Sequence, residues 1–403
     1  MTAAERNIAT WDVAEVYRRL RHDPSFQMLD VRAAPDFAAW RIEGRAPIPT
    51  LNLPYFEFLD LAQDEDVVGA VVHSAPTAIL PHLQPELPVL VICPHGNTSA
   101  LVAEGLRRLG VRAVNLAGGM AAWGDHYHAA TIVDTGALRI IQISRPARGC
   151  LSHMVASDGK AAVIDPLRHV QVYRDFAAAH GWDITHVLDT HMHADHLSGG
   201  VLLAQQAQVD YHLHPYDAIH PMDMLPARFD YRFLHEGQCL RVGHAVLRAL
   251  HIPGHTLGEV AFLVSDEWLI AGDSLFIASV ARPDLGGHPE KWAPLFHHSL
   301  QRLLTLPDGV VVLPAHFSTL QEGDTAGRFM ARLDELRMHN EGLAMAARPE
   351  GEFTRYILGS LPEFPDKYVE IKRINTGLAE ADERRASELE LGKNVCALTR
   401  RPQ

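Results

Sequence analysis

The chain has 403 residues, 47% of them apolar, and a formal net charge of −13. That length exceeds one ordinary core, so two or three domains are expected. It has no Lys/Arg block and no basic helix, and its longest apolar runs fall far short of a membrane span; nucleic acid and membranes are therefore not expected as partners. Cys93, Cys150, Cys239 and Cys396 lie far apart with no C-x-x-C pair. They read as free thiols of a reducing compartment. The start, Met1–Asn7, lacks the basic and apolar regions of a secretory leader, so a cytoplasmic location is expected. Homo-oligomer formation is left open.

Residues 1–127 read as an α/β domain. Phe26–Arg32 is strand-like, and Pro88–Ile92 is a continuous apolar run of the kind that forms a central parallel strand. The loop Cys93-Pro94-His95-Gly96-Asn97-Thr98-Ser99 follows at once. Ala100–Leu109 then has helical spacing up to Gly110, and Val111–Leu116 reads as a further strand. A cysteine between a buried strand and a helix start has a chemical use. Loop amides and the helix dipole favour an anion, so a thiolate and its persulfide are stabilised. Gly96 lets the loop curl. The bland reading is a buried, inert cysteine.

After the strand-like Ile184–Leu188 comes Thr190-His191-Met192-His193-Ala194-Asp195-His196. In an extended segment His191 and His193 point the same way, and Asp195 and His196 are expected where the chain turns into a helix. Gly199 and Gly200 would let that helix sit close to the strand. Three more signals follow at strand ends: His255 after Ala245–Ile252, Asp273 after Trp268–Ala271, and His316 after Val310–Leu313. Scattered surface histidines would not recur in this order, so a metal site is predicted. Thr325–Ala347 reads as a helix packed on the preceding domain, and Glu380–Arg385 as a solvated helix face. Cys396 reads as buried or a bystander.

The N-terminal segment is similar to a rhodanese domain, on Leu29-Asp30-Val31-Arg32, Phe37–Pro54, the Cys93–Ser99 loop and Leu116-Ala117-Gly118-Gly119 with Trp123. The resemblance implies a parallel sheet with helices on both faces and sulfur transfer through Cys93. Two departures stand out. Thr98 occupies the place of the family's usual Arg, and Pro94 that of a basic residue common in thiosulfate-using members. Thiosulfate as the preferred donor is therefore in doubt. A cysteine-phosphatase loop would need Arg where Ser99 stands.

The seven residues His191, His193, Asp195, His196, His255, Asp273 and His316 resemble the ligand motifs of the metallo-β-lactamase superfamily. That likeness implies an αββα sandwich over 128–320, with 321–403 as its C-terminal helical extension. Fused to a rhodanese domain, it resembles the persulfide dioxygenase–rhodanese group. The implied reaction is oxidation of a low-molecular-weight thiol persulfide by O2 to sulfite and thiol, coupled to sulfur transfer involving sulfite or thiosulfate. The implied cofactor is Fe2+ on His191, His255 and Asp273, with His193, Asp195, His196 and His316 lining the pocket or holding a second metal. The Arg282-Pro283-Asp284 element is also similar to that group; Arg282 would meet a substrate carboxylate, or else form a structural ion pair. Glutathione-using relatives carry Tyr where Ser318 stands, so coenzyme A or another bacterial thiol is as plausible a carrier as glutathione. The alternative is a hydrolase of glyoxalase II type with two Zn2+ bridged by Asp273. A third reading, a sulfur-trafficking protein with a vestigial metal domain, is opposed by the intact ligand set.

Overall fold

The computed structural model describes residues 9–22, 24–59, 66–365 and 367–398; the Met1–Asn7 start read above lies outside them. Two compact units divide the chain. One takes in Met1–His128 with the short later segments Arg145–Arg148 and Thr319–Gly327; the other takes in Ala129–Ser144, Gly149–Ser318 and Arg328–Gln403.

The first unit is built on a five-stranded sheet. Its order is Thr10–Trp11, Ala113–Leu116, Val89–Ile92, Gln27–Asp30, Thr50–Asn52, and every pairing is parallel. The apolar run Val89–Ile92 lies near the centre and is buried along its whole length, as a strand covered on both faces must be. Val71 and Ala75 of the helix Val67–Ala78, with Val102 and Leu106 of the helix Asn97–Arg108, pack on Leu29, Val31 and Val91. The helix Val13–His22 buries Val13, Val16, Tyr17 and Leu20, one stripe at helical spacing.

The second unit is a sandwich. A seven-stranded sheet runs Arg232–Phe233, Tyr211–Leu213, Asp183–Leu188, Lys160–Ile164, Cys150–Ser157, Arg139–Arg145, His128–Asp134; a six-stranded sheet runs Cys239–Val242, Ala245–His251, Val260–Val264, Trp268–Ile270, Val311–Leu313, Ala331–Arg332. Ile140, Val155, Ala162 and Leu188 of the first interlock with Leu247, Ala249, Phe262, Ile270 and Leu313 of the second. The helices Gln171–His180 and Gly200–Ala207 cover the outside of one sheet. Ala293, Phe296 and Leu300 of the helix Pro289–Leu303 cover the other, together with Phe353, Ile357 and Ile371 from the C-terminal helices. The result is the expected four-layer αββα arrangement.

One expected helix is shortened. Phe329 and Met330 precede a two-residue strand, and the helix begins only at Leu333. The reason is a buried amide. Gln142 accepts from Phe329 N at 2.8 Å and donates to Phe329 O at 2.9 Å, while the Phe329 ring stacks on Phe317 with centroids 3.8 Å apart. Backbone groups claimed in this way cannot join a helical ladder.

Candidate metal centre and cysteine loop

The strand Asp183–Leu188 delivers the chain to Asp189 and Thr190, and the next helix starts only at Gly200. Asp195 and His196 therefore lie in irregular backbone, not at the helix start expected from the sequence. Side chains from remote segments hold that backbone. Asn375 donates to His193 O at 2.9 Å and His196 O at 2.8 Å, and accepts from Ser198 N at 3.0 Å. Glu390 accepts from Leu197 N at 2.9 Å. Asp217 accepts from Met192 N at 2.7 Å, from the Thr256 hydroxyl at 2.7 Å and from Gly258 N at 2.9 Å. One buried carboxylate thus ties the loop bearing His191 to the loop bearing His255. A helix could not present these N–H groups outward, so the distributed bonds replace the helical ladder.

Three donor atoms converge. His191 Nε2 and His255 Nε2 lie 3.8 and 3.4 Å from Asp273 Oδ2. All three atoms are buried with no hydrogen-bond partner, an arrangement costly for polar groups unless a cation sits among them. The opposite ring nitrogens are occupied. His255 Nδ1 lies 2.8 Å from Arg282 O, and a carbonyl can only accept, so Nδ1 carries the proton. His191 Nδ1 lies 3.0 Å from Thr190 Oγ1, which itself donates to Asp165 at 3.0 Å, so Thr190 accepts from the ring. Both imidazoles then keep an Nε2 lone pair for a metal. Burial, joined for His191 by the neighbouring His193 and His255, holds this ring well below the usual imidazole range; burial lowers His255 too. Neutral rings are what ligation needs. Asp273 N donates to Glu259 Oε1 at 2.6 Å, and burial with Asp273 and Asp217 nearby pushes the Glu259 carboxyl well up.

The other four motif residues divide. His193 turns away, with Nε2 3.3 Å from Asp165 Oδ1 and 3.9 Å from Asp189 Oδ1. Asp195, His196 and His316 gather in a second buried group together with Cys150. There His316 Nε2 lies 2.9 Å from Asp195 Oδ2, and His316 Nδ1 lies 2.5 Å from Asp273 Oδ1, which links the two groups. Burial opposes a charge on His316, yet the Asp273 and Asp195 carboxylates outweigh it and raise the ring well above its usual range. The field of this pocket therefore favours a cation.

Cys93 follows Val89–Ile92 directly and is buried. Its Sγ accepts from Gly96 N at 3.1 Å, Ser99 N at 3.3 Å and the Ser99 hydroxyl at 3.0 Å. The same hydroxyl reaches Asn115 Oδ1 at 2.6 Å, so its one proton is shared between two acceptors. Gly96 has φ +82°, and a Cβ there would lie 2.8 Å from Gly118 N. Pro94, His95 and Asn97 are exposed, Thr98 is half-buried and Ser99 is buried. The helix starts at Asn97, three residues earlier than its spacing suggests, and its first turn brings the Ser99 amide inward to the sulfur.

A Metallo-beta-lactamase superfamily profile matches residues 145–316 and a Rhodanese-like domain profile matches residues 12–126. A hydroxyacylglutathione hydrolase of Xanthomonas euvesicatoria pv. vesicatoria (strain 85-10) is 34% identical over 201 residues, spanning 49% of this chain and 72% of that protein. The chain belongs to the metallo-β-lactamase superfamily. Among solved structures, the metallo-beta-lactamase from Staphylococcus aureus subsp. aureus COL is 25% identical at a TM-score of 0.53, covering 60% of this chain and 72% of that one. ETHE1 from Myxococcus xanthus is also 25% identical, at a TM-score of 0.47 over 62% of this chain and 99% of that one.

Within the metallo-β-lactamase domain the reading of Arg282 as a substrate clamp needs correction. Nε and Nη2 bind the two oxygens of Asp284 at 2.6 and 2.7 Å. Nη2 also donates to Pro362 O at 3.1 Å, and Nη1 to Glu363 O at 3.2 Å and Val395 O at 3.4 Å. A guanidinium has five donors, and all five are committed within the chain. Arg282 fastens the C-terminal segment, while its own carbonyl orients His255. Asp217, Asn375, Glu390 and Cys150 were missed from sequence because no local spacing marks a partner tens to hundreds of positions away. Cys150 alone left a signal, as a soft donor at the start of the strand Cys150–Ser157.

Proposed function

We propose that this metallo-β-lactamase domain oxidises a low-molecular-weight thiol persulfide with O2, and that Cys93 carries sulfane sulfur in the rhodanese-like domain. The observation that supports this most is the three-atom set on His191, His255 and Asp273, with His193 turned to Asp165 and Asp189. Two His and one carboxylate on one face suit non-haem Fe2+ with open positions. Bound there, iron supplies the O2 chemistry that no side chain has. The chain's own residues do the rest. Thr190 and the Arg282 carbonyl keep the two rings in the ligating tautomer, and Glu259 holds the Asp273 backbone. The overall reaction balances as thiol persulfide plus O2 plus water giving thiol plus sulfite and protons. A Cys93 persulfide attacked by sulfite would release thiosulfate and return the thiolate, which the Gly96 and Ser99 donors are placed to stabilise.

A second reading has its own support. The hydroxyacylglutathione hydrolase relative and the Asp195–His196–His316 group favour a dinuclear zinc thioesterase. Metal analysis with paired assays separates the two. About one iron per chain, with O2 uptake matching sulfite formation, supports the dioxygenase. Two zinc per chain with rapid thioester hydrolysis and no O2 uptake overturns it.

A further inference from the structure

Cys150 is a buried thiol that neither reaction uses. The strand Cys150–Ser157 begins beside the segment that ends in His316. Cys150 and His316 form a β-bridge, Leu151 N donates to Ala315 O at 2.8 Å, and Phe317 N donates to Gly149 O at 2.9 Å. Gly149 makes this register attainable. It has φ +74°, and a Cβ there would lie 2.2 Å from Phe317 O, so any side chain would force the two segments apart. The backbone thereby sets the thiol against the second donor group. Sγ lies 3.6 Å from Asp195 Oδ2 and 3.8 Å from His196 Nδ1, and His196 Nδ1 lies 3.1 Å from Asp195 Oδ1. His316 Nε2 is buried 2.9 Å from Asp195 Oδ2.

We propose that Cys150, Asp195, His196 and His316 form a closed, four-donor zinc site in which the Cys150 thiolate is a ligand. It is distinct from the open His191–His255–Asp273 set. Donors at about 2.0–2.3 Å from a tetrahedral metal lie about 3.3–3.8 Å apart, and four protein donors with no vacancy are the structural form of zinc. The Cys150 sulfur already has that spacing from Asp195 and His196, while the two imidazoles, 2.9 and 3.1 Å from the Asp195 carboxylate, would spread slightly around the ion. A thiolate selects zinc over harder ions, while the neighbouring set of two imidazoles and a carboxylate offers no sulfur. One chain would then hold one iron and one zinc, with the zinc ordering His316 and through it Asp273. This assignment concerns the thiol and does not depend on which reaction the open set performs.

Cys396 supplies the competing assignment, since its sulfur groups with Asp273 and His316. The test strips the full-length protein with chelator and reloads it stepwise with Co2+. A thiolate-to-cobalt charge-transfer band is expected in the near ultraviolet in wild type and in Cys396→Ser. It should vanish in Cys150→Ser while the visible cobalt bands persist. A band that survives Cys150→Ser, or is absent from fully loaded wild type, overturns the proposal. Should Cys150→Ser fail to fold, X-ray absorption at the zinc edge of Cys396→Ser loaded with zinc decides. One Zn–S distance of about 2.3 Å supports a Cys150 ligand, and an all-N/O shell removes it. O2 uptake with a persulfide, read on the same wild-type sample, reports on the reaction separately.

Discussion

Cys93 is held by residues three and six positions further along the chain, in one strand–loop–helix unit. His191, His255 and Asp273 are held by Thr190, by the carbonyl of Arg282 and by Glu259, with Asp217, Asn375 and Glu390 fixing the loop backbone from far away. Both sites keep a reactive group in a dry polar setting. The first binds its sulfur with two local amides and a local hydroxyl. The second depends on contacts spread across the whole sandwich and its C-terminal helices. A substitution at the metal centre should therefore propagate into stability and metal content together, whereas one at the Cys93 sulfur should alter chemistry with little effect on stability.

The largest expected effect probes that difference directly. His191→Ala, His255→Ala and Asp273→Ala should each lose the iron and more than about 100-fold of O2 uptake, since each removes one of three ligands. His193→Ala should keep most of the iron. Elemental analysis beside an oxygen electrode reads both. Equal iron loss in all four variants would mean that His193 ligates after all and that the three-ligand iron set is wrong.

Cys93→Ser should abolish sulfur transfer and leave O2 uptake within about twofold, with little change in melting temperature, because Ser is close in size and the polar partners of the sulfur all lie within six residues. After incubation with a persulfide, mass spectrometry should find one added sulfur on the peptide holding Cys93. A gain confined to Cys150, Cys239 or Cys396 would reduce the rhodanese-like domain to a scaffold.

Sequence legibility follows the same division. The Cys93–Ser99 loop could be read almost in full, because strand, glycine and helix start are contiguous. The seven candidate positions were also readable, since they follow apolar runs. What could not be read was the partition of those seven. His193 alternates with His191 in sequence, but irregular backbone carries it to Asp165 and Asp189. Arg282 misled for the opposite reason: an Arg-x-Asp pair looks the same whether its remaining donors face a ligand or three carbonyls of the C-terminal segment.

Arg282→Ala tests how far the metal centre depends on that segment. It leaves Asp284 without its partner and three carbonyls without donors, and breaking a buried pair costs about 3–5 kcal/mol. A lower melting temperature and weaker iron retention are expected, with KM for the persulfide unchanged in the protein that remains folded. A tenfold rise in KM at full stability would restore Arg282 as a substrate contact. Asn375→Ala should be milder, about tenfold weaker in metal affinity, as for loss of a group that positions ligands.

The smallest effect sharpens the comparison from the other side, by adding a group to the local site. Thr98 is half-buried at the first turn of the helix Asn97–Arg108, one position before a donor to Cys93. A guanidinium there would offer two parallel donors to a dianionic sulfur compound, a charge-assisted contact that contributes about 1.5–3 kcal/mol. Thr98→Arg should therefore lower KM for thiosulfate by about tenfold or more. The transfer rate from a neutral donor and the O2 uptake of the metal centre should stay where they were. The gain needs no partner outside the loop, which is the point of comparison with the metal centre. If Thr98→Arg leaves thiosulfate turnover unchanged while Cys93 still takes up sulfur, the missing guanidinium is not what limits the use of thiosulfate.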